Sequence, residues 1–246
     1  MKYSIQLYSL RDVAEKDLEA GLKAVSEMGY EKVEFAGFGD KTAEEAAELL
    51  KKYNLEVSAS HLSLNEVKPD AIEQTIANLK AIGDKCPCVP GMSISTKEKL
   101  DASIDVLNFA YDRFEKEGMK LMFHNHWLEF LPNEDGQIPF DEIYNRTKVN
   151  FEIDTYWAYA AKRDPIKLIE KLHNEGRLEH IHLKDGTGEA KGSAGRPLGM
   201  GSAPVKAVHD KAVEMGVDII VESETLTPSG IEEARICIEY LKSINK

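Results

Sequence analysis

The sequence predicts a (β/α)8 barrel, on three observations. Eight short runs rich in Val, Ile, Leu and Phe alternate with longer segments of helical period, and their centres fall at Ile5, Glu34, Ser58, Val89, Phe123, Glu152, His182 and Ile220. The intervals, 24 to 38 residues, each accommodate a strand, a helix and two loops. The chain, at 246 residues, has the usual size of such a barrel, and 42% hydrophobic content is ample for its core. The doubly wound alternative lacks its fingerprint, because Ser9 to Val13 reads SLRDV where GxGxxG would follow the first strand. With no break in composition, one domain over residues 1–246 is expected.

The predicted strands are Tyr3 to Tyr8, Lys32 to Ala36, Glu56 to Ser60, Cys86 to Met92, Lys120 to His126, Asn150 to Asp154, His180 to Lys184 and Asp218 to Glu222. Seven helices are expected between and after them. Asp17 to Met28 places Leu18, Leu22, Val25 and Met28 on one face and stops at Gly29. Thr42 with Glu45 forms a capping box for Ala43 to Tyr53. Pro69 and Asp70 open Ala71 to Ile82, and Gly83 ends it; Lys97 to Glu117 ends at Gly118. Asp164 and Pro165 start Ile166 to Asn174, Pro204 starts Val205 to Met215, and Pro228 and Ser229 open Ile231 to Ile244. The glycine-rich stretch Gly186 to Gly201 follows the seventh strand, on the side where barrel active sites occur, and reads as a mobile lid.

Charge and composition exclude several functions. A formal net charge of −12, from 31 basic and 43 acidic residues with no basic run, argues against nucleic acid, whose phosphates need a positive surface. Three cysteines, Cys86, Cys88 and Cys237, suit a reducing compartment and read as ordinary thiols. With neither a signal-peptide pattern nor about 20 consecutive apolar residues, the expectation is a soluble cytoplasmic protein without membrane contact. A homo-oligomer stays open.

Side chains alternate across a strand, so Phe123, Ile153, Ile181, Leu183, Ile219 and Val221 would face the helices. Strands five to eight then each end in an inward-facing ligand type: His124, Asp154, His182 and Glu222. Two carboxylates side by side in a barrel mouth are costly without a cation. Two imidazoles with two carboxylates suit a borderline divalent ion, Mn²⁺, Zn²⁺, Co²⁺ or Fe²⁺, better than Ca²⁺ or Mg²⁺. Gln6, Tyr8 and Glu34 also point inward by the pleat, and His61 sits just beyond the third strand.

QLYSLRD at Gln6, VEFAGF at Val33, FHNHWLEF at Phe123, EIDTYW at Glu152, HIHLKDG at His180 and IIVESE at Ile219 together resemble the sugar phosphate isomerase/epimerase family of the xylose isomerase-like TIM-barrel superfamily, over essentially the whole chain. The resemblance implies a divalent metal at the ends of strands five to eight, held by Glu, Asp, His and Glu. Asp154, His182 and Glu222 match, and His124 stands where Glu is usual. It also implies proton abstraction next to a carbonyl of a sugar or cyclitol, with Glu222 or His126 as base and Lys184 stabilising oxyanion charge. Lys184 has a competing expectation, a salt bridge to Asp185 or Glu152. Tyr8, His61, Glu129, Trp157 and Arg196 are candidates for binding substrate, Trp157 occupying a place where many members have His; a solvated position for Glu129 is the alternative. The acidic balance favours a neutral sugar over a phosphate, although Arg196 and Lys191 keep the phosphate open. A lyase of the inosose dehydratase or 3-keto-glycoside eliminase type is the main rival. A non-catalytic sugar-binding barrel and an endonuclease IV-like enzyme follow.

Overall fold

The computed structural model describes residues 2–191 and 194–245. Eight parallel strands close into a barrel: β1 (Ser4–Gln6), β2 (Lys32–Phe35), β3 (Glu56–His61), β4 (Pro87–Val89), β5 (Met122–His124), β6 (Asn150–Asp154), β7 (Leu178–Leu183) and, after a two-residue antiparallel pair β8 (Asp185–Gly186) and β9 (Gly195–Arg196), β10 (Asp218–Val221). Each strand pairs with its sequence neighbour around the barrel, and β10 closes it against β1. The expected fold class holds.

The pleat sorts side chains as anticipated. Phe123, Phe151, Ile153, Ile181, Leu183, Ile219 and Val221 lie in the continuous apolar core. The opposite face puts Ser4, Gln6, Glu34, Glu152, Asp154, His180 and His182 inside the barrel, all buried. Buried polar groups need partners, and the interior accordingly holds a polar stack linked by hydrogen bonds, with a small apolar cluster of Ala59, Cys88 and Met122 beside it. Registers place Asp154 opposite His182 and His124 opposite Glu152, aligning the ligand types of three strands at one end.

All seven expected helices form, with small shifts of boundary. Thr42 and Glu45 make both bonds of the capping box on Ala43–Tyr53, Asp17 caps Leu18–Met28, and Ser229 caps Gly230–Ile244. Gly29, Gly83 and Gly216 take the left-handed conformation that ends their helices. Three further helices, Arg11–Ala14, Pro139–Arg146 and Thr155–Ala160, are too short to show an apolar period. The first strand stops at Gln6, two residues earlier than expected. There the Gln6 side chain accepts the Tyr8 N–H and turns the chain into a 3-10 turn, Leu7–Leu10. Tyr8 therefore sits on a turn and not on an inward strand face. β4 likewise ends before Pro90 and Gly91. Among the described residues no helix is long and apolar enough to cross a membrane.

Candidate metal centre

His124 ends β5, Asp154 ends β6, His182 is the penultimate residue of β7, and Glu222 follows β10 directly. All four are buried, and each contributes a donor atom to a group whose members lie within 4.8 Å of one another. Asp154 has one oxygen committed: Oδ1 accepts the Trp157 N–H at 2.8 Å and caps Thr155–Ala160. Its Oδ2 is buried without a hydrogen-bond partner, 3.9 Å from Lys184 Nζ. Asn125 fixes the strand end from the side, donating to the Asp154 carbonyl and accepting its N–H, both at 3.2 Å. A buried carboxylate oxygen left open beside two imidazoles and a second carboxylate fits a divalent cation.

A family model described as the xylose isomerase-like TIM barrel matches residues 22–244. The chain belongs to that family. Among solved structures, this xylose isomerase-like barrel is similar to a sugar phosphate isomerase/epimerase from Parabacteroides distasonis (TM-score 0.82, 24% identity, 98% of this chain and 97% of that one). It is also similar to the probable 3-DHS dehydratase AsbF from Bacillus anthracis (0.76, 14%, 98% and 99%) and to an L-ribulose 3-epimerase (0.72, 16%, 99% and 94%). At these identities the likeness shows the fold alone. No curated protein matches the sequence.

The family's barrel mouth is here a cavity of about 600 Å³, lined among others by Tyr8, His61, His124, His126, Glu222 and Glu224. Below it lies a second layer. Glu152 Oε2 is 2.7 Å from His61 Nε2, 3.2 Å from His124 Nδ1 and 3.1 Å from His182 Nε2. Glu34 Oε2 is 2.6 Å from His182 Nε2. Burial and then the Glu152 charge push Glu34 up to about 7, while the surrounding imidazoles, His182 first, overcome burial and hold Glu152 well below the usual carboxylate range. The same two carboxylates raise His182 well above an ordinary imidazole against its burial. His124, burdened by burial and then by the neighbouring His182, is lowered well below one.

Lys184 is completely enclosed, with Glu224 at 2.6 Å, Glu222 at 3.5 Å, Asp154 at 3.9 Å and the Trp157 ring centroid at 4.8 Å. Those carboxylates, Glu222 foremost, outweigh burial and keep its ammonium above its normal pKa. Its partners are thus neither Asp185 nor Glu152, the pair expected from the sequence. Glu224 was overlooked there, although its even spacing from Glu222 in the IVESE run would have placed it on the same side. Lys184 in turn holds Glu222 well below the usual carboxylate range, against burial. Burial brings His126 down to about 4, so it is neutral near pH 7.

The remaining candidates divide. Tyr8 and His61 line the cavity. Trp157 is half-buried beside His126, ring centroids 6.3 Å apart, and its Nε1 has no hydrogen-bond partner. Glu129 is 4% exposed in a 3-10 turn and accepts the His126 N–H at 2.9 Å, so the solvated position is not observed. A carboxylate three residues on from a free backbone N–H closes the turn and orients His126. Arg196 is exposed on β9 and donates to the Gly195 carbonyl; it does not line the cavity, and Lys191 is also exposed.

Both limbs of the glycine-rich loop are tied down, in contrast to a free lid; Gly192 and Ser193 lie outside the described residues. Buried Asp185 accepts four backbone N–H groups, from Gly186, Gly199, Gly201 and Ala203, at 2.8 to 3.1 Å. Hydrogen bonds to a charged group contribute about 1.5–3 kcal/mol each. In Asp185→Ala, amide exchange at Gly199, Gly201 and Ala203 should accelerate by roughly a hundredfold, the equivalent of about 3 kcal/mol at 1.4 kcal/mol per decade. Hydrogen exchange read by mass spectrometry checks this, and unchanged protection would assign the anchoring elsewhere.

Proposed function

We propose that the chain is a metal-dependent isomerase or epimerase that moves a proton next to the carbonyl of an uncharged keto-sugar or cyclitol. The observation that carries this reading is the convergence of His124, Asp154, His182 and Glu222 at one end of the barrel, with two of them, His124 and Glu222, opening onto a cavity of ligand size. Those four residues would hold the cation, and Mn²⁺, Zn²⁺, Co²⁺ or Fe²⁺ suits their mixed donors. A divalent cation there would polarise the substrate carbonyl and offset the charge that proton removal leaves on its oxygen.

The chain's own groups supply the rest. Glu222 is ionised beside Lys184 and reaches the cavity, so it can take the proton. Neutral His126 on the same wall can take one or return one in its protonated form. Lys184, fixed by three carboxylates and a tryptophan face, sets the positive potential behind them. Among the described residues that line the cavity there is no Lys or Arg, whereas Glu66, Glu222 and Glu224 are present. That lining favours a neutral substrate over a phosphate.

One feature favours a lyase as the second reading. His124 stands where a second basic carboxylate would serve the opposite face of the substrate carbon. A single base with an acid beside it suffices to expel a β-leaving group. Metal-loaded protein incubated with keto-sugars in deuterated water separates the two. Isomerisation or epimerisation yields a labelled isomer of unchanged mass formula apart from deuterium; elimination yields a dehydrated product. Absence of both products and of any exchange across a panel of ketoses and inososes, with metal bound, would overturn the proposal.

A further inference from the structure

We infer that Glu34 and Glu152 are positioning residues that hold His182, and through Glu152 also His124, with one ring nitrogen bonded inside the barrel and the other left for the cation, so that the chain takes one divalent ion and not two. This inference rests on the metal-dependent reading above. Two groups of donors satisfy the same 4.8 Å criterion: His124, Asp154, His182 and Glu222 at the mouth, and His61, His124, Glu152 and His182 one layer deeper. On distance alone, each is a cation site. They share both His124 and His182, and a neutral imidazole has a single lone pair.

His182 shows the conflict most clearly. Its Nδ1 faces Glu222 Oε2 at 3.2 Å, and its Nε2 faces Glu34 Oε2 at 2.6 Å and Glu152 Oε2 at 3.1 Å. Filling both groups at once would require each shared ring to lose its second proton and bridge two metals. Filling only the inner group would use Nε2 and turn an N–H toward Glu222. Filling only the outer group leaves an N–H on Nε2, where two carboxylates accept it. The inner acceptors outnumber the outer one and come closer, so the proton on Nε2 is the one retained when a cation binds, and Nδ1 gives up its proton to offer a lone pair at the mouth.

The inner acceptors are themselves fixed. Gln6 Nε2 donates to Glu34 Oε2 at 2.7 Å, while the Gln6 carbonyl oxygen is held by the Tyr8 N–H at 3.0 Å. Glu152 Oε2 is tied to His61 Nε2 at 2.7 Å and meets His124 Nδ1 at 3.2 Å, which leaves Nε2 as the free nitrogen of His124. Glu34 and Glu152 have no solvent exposure; His61 of the inner group and the shared His124 reach the cavity, but the carboxylate of the two groups that meets an arriving ion there is Glu222 of the outer group. A chain of contacts thus runs from the turn after β1, through Gln6 and Glu34, to the metal-facing side of His182. Partners that orient ligating imidazoles in this way are worth about 10–100-fold in metal affinity.

Wild-type protein labelled with ¹⁵N-histidine and loaded with ¹¹³Cd²⁺ provides the direct measurement. One equivalent should bind, with cadmium coupled to Nδ1 of His182 and a proton kept on its Nε2; in metal-free protein the ring, surrounded by carboxylates, should carry protons on both nitrogens, and the metal should displace the Nδ1 proton alone. Glu34→Leu, which removes the acceptor, should weaken Co²⁺ binding 10–100-fold and alter the Co²⁺ absorption bands, and Glu34→Gln, which retains a carbonyl acceptor, should recover most of both. A merely structural role would lower the unfolding temperature without moving the spectrum or the tautomer. Two equivalents of tightly bound cadmium, coupling to Nε2, or wild-type affinity and spectrum in a folded Glu34→Leu would each overturn the inference. Loss of the functional reading shows separately, as metal bound in the predicted way without proton exchange in any ketose.

Discussion

Asp154→Asn should lower kcat/KM for proton exchange by roughly a thousandfold, since losing several kcal/mol of metal-derived stabilisation at about 1.36 kcal/mol per decade gives that factor. Asparagine is the informative substitution because it retains a side-chain oxygen for the Trp157 N–H, the cap on Thr155–Ala160. Alanine would add about 1 kcal/mol of lost capping and blur the result. Burial places the Asp154 carboxyl at about 7 in metal-free protein, far above an unfolded aspartate. A folded-state pKa above the unfolded one means stability that is fully present below the unfolded value and lost as pH rises through about 7. Asp154→Asn removes that loss, so the metal-free variant at pH 8 should unfold at a higher temperature than metal-free wild type while binding Mn²⁺ or Co²⁺ far more weakly. Calorimetric metal titration and thermal unfolding in chelator measure the two halves. Wild-type metal affinity in the folded variant would remove Asp154 from the site.

The mouth of the barrel was legible because its signal is local. A two-residue period on β6 and β7 fixes which side Asp154 and His182 take, and the family motifs FHNHWLEF and HIHLKDG then place His124 on β5 and His182 on β7, on either side of Asp154 on β6. Contacts between distant strands carry no such period. Glu34 on β2 meets His182 on β7 across the barrel, 148 positions away in sequence, and His61 meets Glu152 the same way. The pleat says that each points inward and cannot say at what height. Tyr8 shows another limit, since a single side-chain bond from Gln6 ends β1 and rotates the residues beyond it out of register. Glu129 misleads for a related reason: its burial follows from one bond to the His126 N–H, which base rates for glutamate do not anticipate.

Lys184→Met should be the most destabilising single change in the mouth. The methionine fills similar volume, but Asp154, Glu222 and Glu224 lose the ammonium they surround, and removing one partner of a buried charge cluster costs about 3–5 kcal/mol. For a chain of this size each kcal/mol moves the midpoint by roughly 2–4 °C, so metal-free protein at pH 8 should unfold roughly 6–20 °C lower. Protonation offers partial relief: with Lys184 gone, Asp154 rises further above its unfolded value and Glu222 loses the charge that holds it down, so the deficit should shrink as pH falls toward 6. A divalent cation at Asp154 and Glu222 supplies the missing positive charge in another way. Saturating Co²⁺ or Mn²⁺ should therefore raise the midpoint of Lys184→Met by more than it raises that of wild type, where the metal and the ammonium compete for the same carboxylates. Unfolding curves for both proteins, with chelator and with metal at pH 6 and pH 8, decide the matter. An equal metal-induced shift in the two proteins would mean that Lys184 and the cation do not share a charge environment. Under that result, the electrostatic role of Lys184 in the proposed chemistry would have to be abandoned even if the metal centre itself stood.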